Sequence, residues 1–224
     1  MELTEGVYAF PQTVTHGGQE VTFNPTAVET GRGLLLLDVG VPGAVDQLED
    51  HLAAAGFDWA DVWGVLLTHQ DFDHAAGLSA VVERAGPVTF AHPACAPFVD
   101  GRRDPIKGGE ERYPPAPIDV EPADGTRFST AAGPMEVIHT PGHTPGHVSL
   151  YFPAAKLLLP VDALTVQDGE LSGPNEEFTP DLPTAIESVG RLADYDVERT
   201  FCYHGGLVEK GTGAIARIWQ RLAE

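Results

Sequence analysis

The chain alternates short apolar runs with Gly, Pro and polar residues, a pattern that is typical of proteins built on β-strands. Strands are predicted in VYAF, VTFN, TAVET and GLLLLDVG. The unbroken apolar run of the last segment indicates a strand that is buried on both faces. The next segment, VPGAVDQLEDHLAAAGF, predicts a helix with its apolar positions on one face and with Gly56 at its end.

A second buried strand, DVWGVLLT, runs directly into HQDFDH, and AAGLSAVVERAG then predicts a helix that ends at Gly86. The His and Asp cluster is therefore expected on a strand-to-helix loop. VTFAH predicts a further strand. Residues 93–118 are rich in Pro, Gly and charge without periodicity, so they predict a long loop or lid.

The second half repeats this organisation without repeating the sequence. MEVIHT, HVSLYF and KLLLPVD predict strands, TAIESVGRLADY a helix, RTFCYH the last strand, and GTGAIARIWQRLAE a closing amphipathic helix. In each half the strands precede the main helices, which predicts an α+β fold of two mixed sheets packed face to face with helices outside. Neither an internal repeat nor a linker divides the chain, so residues 1–224 are expected to form a single domain.

The charge is unusual, because 33 acidic residues against 13 basic ones give a formal net charge of -20. Such a field repels nucleic acid and anionic membranes, so we expect neither as a partner. The acidic, lysine-poor composition resembles that of proteins from salt-loving organisms, which is a hypothesis about the source of the protein. Two cysteines cannot form a disulfide framework, and the first residues lack the features of a signal peptide. The expected location is the cytoplasm.

The segment THQDFDHAAGL contains four candidate metal ligands within six residues: His69, Asp71, Asp73 and His74. In an extended loop the first three, spaced two apart, would project to one side. Imidazole and carboxylate both suit zinc, iron and manganese.

Three later segments add candidates. Two TPGH turns in VIHTPGHTPGHVSLY present His143 from a rigid frame, whereas His139 and His147 adjoin strands and are expected at most to orient other groups. Asp162 follows the apolar strand KLLLPV, and His204 ends FCYHGG before two glycines. Each of these residues alone is weak evidence, but their combination is specific.

The order THxxxDHxxG, TPGHTPG, an Asp after an apolar strand and a final His-Gly resembles the metallo-β-lactamase superfamily over nearly the whole chain. The resemblance implies a four-layer αββα sandwich with a two-metal site at one edge of its sheets. It implies that His69, Asp71 and His143 hold one metal, that Asp73, His74 and His204 hold the other, and that Asp162 bridges both. Asp38, in a position similar to the superfamily's strand-ending Asp-Thr-Gly, is expected to hold a ligand histidine in its tautomer.

One position departs from the common His-x-His-x-Asp-His signature, because Asp71 stands where imidazole is expected. A related subgroup with His-x-Asp-x-Asp-His and a late Tyr-His-Gly-Gly is similar to this chain. A carboxylate shifts preference toward iron or manganese without excluding zinc, which remains the first expectation.

The resemblance implies hydrolysis of a small carbonyl substrate by a metal-bound hydroxide, with Asp73 passing a proton to the leaving group. We favour a lactone or ester; a hydroxyacylglutathione-type thioester and a β-lactam remain alternatives. The loop residues that could hold substrate are Arg102, Arg103, Lys107, Arg112 and Tyr113. Two alternatives are not hydrolases. A di-iron oxygen or nitric-oxide reductase of the same superfamily resembles this chain in having a carboxylate at the second ligand position. The third hypothesis is a metal-binding module without catalytic activity.

Overall fold

The computed structural model describes residues 1–107 and 112–224. Its strands are β1 (Glu2–Thr4), β2 (Val7–Ala9), β3 (Gln12–His16), β4 (Gln19–Phe23), β5 (Thr26–Thr30), β6 (Gly33–Leu37), β7 (Val62–Leu67), β8 (Val88–Ala91), β9 (Arg127–Thr130), β10 (Gly133–His139), β11 (Val148–Phe152), β12 (Leu157–Val161), β13 (Thr165–Gln167), β14 (Glu170–Ser172), β15 (Arg199–Cys202) and β16 (Gly206–Val208). Its α-helices are α1 (Val45–Ala55), α2 (Phe72–Ala75), α3 (Leu78–Ala85), α4 (Ala96–Val99), α5 (Leu182–Leu192) and α6 (Thr212–Leu222).

Two six-stranded sheets form the frame, with strand orders β1-β2-β5-β6-β7-β8 and β16-β15-β12-β11-β10-β9. Both sheets are mixed, because β6, β7 and β8 run parallel in the first and β12 runs parallel to β15 in the second. The remaining strands form two separate hairpins, β3-β4 and β13-β14. The prediction of two mixed sheets is confirmed.

The leucine run of β6 shows why its segment is apolar throughout. Leu34 and Leu36 belong to the core on the helix side of the first sheet, where Leu48 of α1 and Val81 of α3 also lie. Leu35 belongs instead to the core between the sheets. Because successive side chains of a strand point to opposite faces, a strand between two apolar layers needs apolar residues at every position.

The outer face of the second sheet is covered by α5 and α6. Leu158 of β12 shares a core with Val189 of α5 and with Ile215 and Ile218 of α6, and Leu222 packs at its edge. The four layers are therefore helices, sheet, sheet and helices, as the αββα expectation requires. Each helix layer buries one apolar face and each sheet buries both, and this burial is the main stabilising contribution.

Several local predictions were wrong. The segment after His69 is not extended, because Phe72–Ala75 forms one helical turn in which the His74 and Ala75 amides donate to the carbonyl of Asp71. The next helix begins only at Leu78, after Gly77, where a Cβ would lie 2.9 Å from the carbonyl oxygen of Val39.

Two other segments also differ from the prediction. RTFCYH is not the last strand, because β16 follows it and pairs antiparallel with β15. The predicted loop 93–118 contains the short helix α4, in which Ala96 and Val99 are buried. The part of this loop at 108–111 lies outside the described residues.

In the described part of the chain, every helix is too short or too polar to cross a bilayer. The two cysteines, Cys95 and Cys202, are both unpaired and buried in the apolar cores.

We expect Leu150→Ala to lower the free energy of unfolding by about 2–5 kcal/mol, because Leu150 is fully buried between the sheets and its removal leaves a cavity. Val21→Ala, at an exposed strand position, is the matched control, with an expected change within about 0.5 kcal/mol. Chemical denaturation measures both. Equal effects of the two variants would contradict a core between the sheets.

Candidate metal centre

The candidate residues follow the carboxyl ends of four strands. Asp38 follows β6 directly and Asp162 follows β12 directly, whereas His69 and His204 stand two residues beyond β7 and β15. The parallel pairs β6-β7 and β12-β15 bring these ends to one edge of each sheet. Because the sheets face each other, the strand ends form a common rim where polar side chains can converge.

The first group of ligand atoms comes from His69, His143 and Asp162, whose donor atoms all lie within 4.8 Å of one another. Asp71 faces the same group. Its Oδ2 lies 3.4 Å from His69 Nε2 and 3.0 Å from His143 Nε2. The carboxylate that replaces the usual imidazole therefore points to the same atoms as its neighbours and could hold a metal with them.

The second group comes from Asp73, His74 and His204, again within 4.8 Å of one another. The helical turn α2 turns Asp73 toward His204, whose Nε2 lies 3.2 Å from Asp73 Oδ2. Asp162 contacts both groups, since its Oδ2 is 3.2 Å from His143 Nε2 and its Oδ1 is 3.6 Å from His74 Nε2. The structure thus brings together all seven residues named as metal ligands.

Asp38 lies behind the second group. Its carboxylate accepts hydrogen bonds from the Thr68 amide at 2.7 Å and hydroxyl at 2.6 Å, and from His74 Nδ1 at 2.9 Å. With the His74 proton held on Nδ1, Nε2 is the atom left facing the centre. This contact fits the expected orienting role of Asp38.

His147 is fully buried and contacts the backbone of a candidate ligand. The Asp162 amide donates to His147 Nε2 at 3.1 Å, so the His147 proton is on Nδ1, which lies 3.1 Å from the Thr140 carbonyl oxygen. Burial, reinforced by His69 and His143, lowers the pKa of His147 well below its usual value, which keeps the ring neutral. His139 is directed elsewhere, since its Nε2 contacts the Pro145 carbonyl.

Two glycines let the chain turn tightly beside two of the histidines. Gly142, before His143, has φ +125°, and a Cβ there would lie 2.2 Å from the amide nitrogen of Ala185. Gly205, after His204, has φ +103°, and its Cβ would lie 2.3 Å from the Val166 carbonyl oxygen. Both positions require glycine for conformation and for space.

A family model described as the metallo-beta-lactamase superfamily matches residues 24–204, a range that contains both groups. The chain belongs to the metallo-beta-lactamase superfamily. Superfamily members typically bind divalent metal ions, and both groups of this chain could hold one.

Two relatives of known name are similar to this chain. The probable metallo-hydrolase YflN of Bacillus subtilis is 28% identical over 199 residues, covering 76% of this chain and 75% of that protein. A hydroxyacylglutathione hydrolase of Ruegeria pomeroyi is 30% identical over 132 residues, which cover 57% of this chain and 44% of that enzyme. The chain is therefore a metallo-beta-lactamase superfamily hydrolase.

Solved structures agree on the fold. A metallo-beta-lactamase family protein from Thermus thermophilus has a TM-score of 0.75 at 26% identity, over 98% of this chain and 80% of that chain. A metallo-beta-lactamase from Pontibacter korlensis has a TM-score of 0.78 at 20% identity, over 100% and 98%, and this second likeness concerns the fold alone. The predicted αββα sandwich of the superfamily is confirmed.

The unpaired atoms of the centre fit a divalent metal ion. His69 Nε2, His74 Nε2 and Asp162 Oδ1 are buried and make no hydrogen bond to any described residue. His69 Nδ1 lies 3.1 Å from the Thr68 hydroxyl, which itself donates to Asp38, so the His69 proton is on Nδ1 and the Nε2 lone pair is free. Buried polar atoms without partners are destabilising, and nitrogen and carboxylate donors are the ligands that zinc and its neighbours prefer.

The charges of the centre also favour a cation. Burial alone would lower the pKa of His204, but Asp162 and Asp73 outweigh burial and raise it to about 9. Burial lowers the pKa of His69, which leaves its lone pair available. The carboxylates therefore attract positive charge to the rim, where it can be supplied by protons or by metal ions.

Three residues contact the candidate ligands without having been expected to do so from the sequence, which names Lys107 only as a candidate for substrate binding. Tyr203 stacks on the His74 ring at a centroid distance of 3.7 Å and donates from its hydroxyl to the Asp73 carbonyl at 2.6 Å. The Thr179 hydroxyl lies 3.4 Å from His143 Nδ1. Lys107 contacts Asp71 and His143. The Tyr-His-Gly-Gly segment gave a signal for Tyr203, whereas Thr179 and Lys107 lie in segments without a motif.

We expect Asp38→Asn to weaken metal binding by about 10–100-fold, because the amide cannot accept all three hydrogen bonds and no longer fixes His74. Titration of the metal-free protein with Zn²⁺ measures the change. Asp50→Asn, at an exposed helix position, is the matched control and should bind as the unmodified chain does. Unchanged affinity in a folded Asp38→Asn variant would contradict the orienting role.

Proposed function

We propose that this protein hydrolyses a small lactone or ester with two divalent metal ions, zinc being the first candidate and iron or manganese the alternatives. The observation that carries the proposal is the pair of three-donor groups joined at Asp162, with buried donor atoms that lack other partners. His69, Asp71 and His143 would hold one ion, Asp73, His74 and His204 the other, and Asp162 would contact both. When bound, such ions lower the pKa of a shared water and polarise a carbonyl group.

Asp73 is the residue we assign to proton transfer. Its side chain is 34% exposed, against 10% for Asp162 and 1% for Asp38, so it is the carboxylate of the rim that substrate can reach most easily. The Tyr203 hydroxyl fixes its backbone, and His204 Nε2 holds one carboxylate oxygen. Asp73 can therefore accept the proton of the attacking water and pass it to the leaving alkoxide oxygen.

Exposed apolar side chains support a substrate with an apolar part. Phe72 is next to Asp71, Ile106 is next to Lys107, and Phe178 is next to Thr179, so each adjoins a residue that contacts the first group. Large apolar side chains that are exposed near a binding site often contact the ligand. A lactone or ester with an aliphatic or aromatic group would cover them.

The basic residues of the 93–118 loop give little support to a glutathione thioester. Arg102 pairs with Asp100 and Glu121, and Arg112 pairs with Asp104. Of the lysines and arginines described in this loop, Lys107 is the one that contacts the centre. A glutathione conjugate carries two carboxylates, which need more cations than this rim provides.

Metal content and substrate preference of the proposed centre can be measured on the same protein. Protein purified without chelator should contain zinc or manganese, and it should bind about two ions per chain when free metal is supplied, as a two-metal centre requires. Among lactones, aryl and alkyl esters, hydroxyacylglutathione and β-lactams, the lactones or esters should give the highest kcat/KM. Preferred turnover of hydroxyacylglutathione would shift the assignment to thioester hydrolysis. Iron without hydrolysis would favour the oxidoreductase alternative, and the absence of metal would contradict the centre.

Asp73→Asn should lower kcat on the best ester or lactone by about 10²–10⁴-fold, because the amide cannot transfer the proton. Asp50→Asn, which removes the same charge from an exposed helix position, should retain full activity. Metal content of both variants separates loss of proton transfer from loss of metal. A kcat near that of the unmodified chain in a metal-loaded Asp73→Asn variant would exclude the role.

A further inference from the structure

Lys107 occupies an unexpected position in the first group. Its Nζ lies 2.5 Å from Asp71 Oδ2 and 2.9 Å from His143 Nε2. These are the two atoms that Asp71 and His143 direct at each other and that a metal ion in this group would use. The Lys107 side chain is 21% exposed, so the ammonium group is sheltered but still reachable by solvent.

The hydrogen bonds of His143 show that its lone pair faces Lys107. The Thr179 hydroxyl donates to the Asn175 carbonyl at 2.6 Å, so toward His143 Nδ1 it can only accept. The His143 proton is therefore on Nδ1, and Nε2 accepts from the ammonium group. A metal ion needs the same lone pair, so the Lys107 ammonium and the ion exclude each other at this atom.

In the second group, no described lysine or arginine occupies the place of a metal ion. Among the ranges 1–107 and 112–224, the ion pairs of Asp73 are with His74 and His204, and neither lysine nor arginine joins them. Asp71 stands where the superfamily usually has imidazole, so it adds a negative charge to the first group. The positive charge of Lys107 pairs with it. The two groups therefore differ in what a metal ion must displace.

We propose that the Lys107 ammonium competes with a metal ion for Asp71 and His143, so that the first group binds its ion more weakly than the second. This inference rests on the proposed metal centre. The chain would then hold one ion tightly and take up the other only when free metal is abundant. Asp71 and Lys107 act together, because the carboxylate anchors the ammonium beside the imidazole.

The test is calorimetric titration of the metal-free full chain with Zn²⁺, with chelator competition for the tighter step. The unmodified chain should show two steps that differ by about tenfold or more in affinity. Lys107→Met should tighten the weaker step by about tenfold or more and leave the tighter step unchanged, since removal of a contacting charge has effects of this size. Lys107→Gln serves as a second variant if the Met variant folds poorly.

Lys210→Met is the matched control, because Lys210 pairs with Glu170 on the surface and its loss changes the net charge equally. It should leave both steps unchanged. Asp73→Asn, which removes a ligand of the second group, should weaken the tighter step and so assign it. The inference would be overturned, without the proposed centre, by two binding steps of equal affinity in the unmodified chain. It would also be overturned if Lys107→Met left the weaker step unchanged, or tightened it no more than Lys210→Met does. Failure to bind any metal would overturn the proposed centre as well.

Discussion

Asp162 is the group on which the arrangement of the rim depends. A nearly buried carboxylate costs several kcal/mol unless cations or hydrogen-bond donors surround it. His143, His74 and His204 approach it from three different segments, and the His147 ring accepts a hydrogen bond from its amide. The two sheets must therefore be packed in register before the charge is satisfied. Core packing and site formation are, for this reason, one cooperative event.

The backbone beside two of the carboxylates is held in an uncommon conformation. Asp38 has φ 60° and Val161, directly before Asp162, has φ 57°. The left-handed region is unusual for a β-branched residue and costs about 1–3 kcal/mol. Val161 is held there by its core with Phe23 and Tyr203, and Asp38 by the hydrogen bonds from Thr68 and His74. Both turns lead the chain out of its sheet at the rim, so the strain is located where the carboxylates must point inward.

The sequence predicted correctly the strands whose burial is continuous and the helices that have one apolar face, α1, α5 and α6. The segment GLLLLDVG gave β6 and KLLLPVD gave β12, because a strand between two apolar layers leaves an unbroken apolar run. The edge strand β9 and the hairpin strand β3 have mixed polar positions and were missed. The turn at Phe72–Ala75 was missed because four residues are too few to show helical periodicity.

The same reasoning explains which site residues could be found. His69, Asp162 and His204 follow apolar strands, so local sequence marks them as rim residues. Tyr203 and Lys107 act through contacts that depend on how distant segments pack, here the stacking on His74 and the approach of the loop to Asp71. The Tyr-His-Gly-Gly segment gives a local signal for Tyr203 but not for its stacking on His74, and no local pattern encodes the contact of Lys107. The candidate ligands and the orienting residue Asp38 were therefore predictable from the sequence, whereas the contacts that Tyr203 and Lys107 make with them were not.

The acidic character of the whole chain bears on substrate choice. A formal net charge of -20 raises the local concentration of divalent cations and lowers that of anionic substrates. Salt screens the distant charges over about 10 Å, but the carboxylates of the rim lie well within that distance of any bound substrate. Of the described lysines and arginines, Lys107 alone opposes them at the centre, and it is already paired with Asp71. Two bound divalent ions would offset the rim carboxylates, so the repulsion of a glutathione conjugate comes from the net charge of the rest of the chain, whereas a neutral lactone or ester meets none.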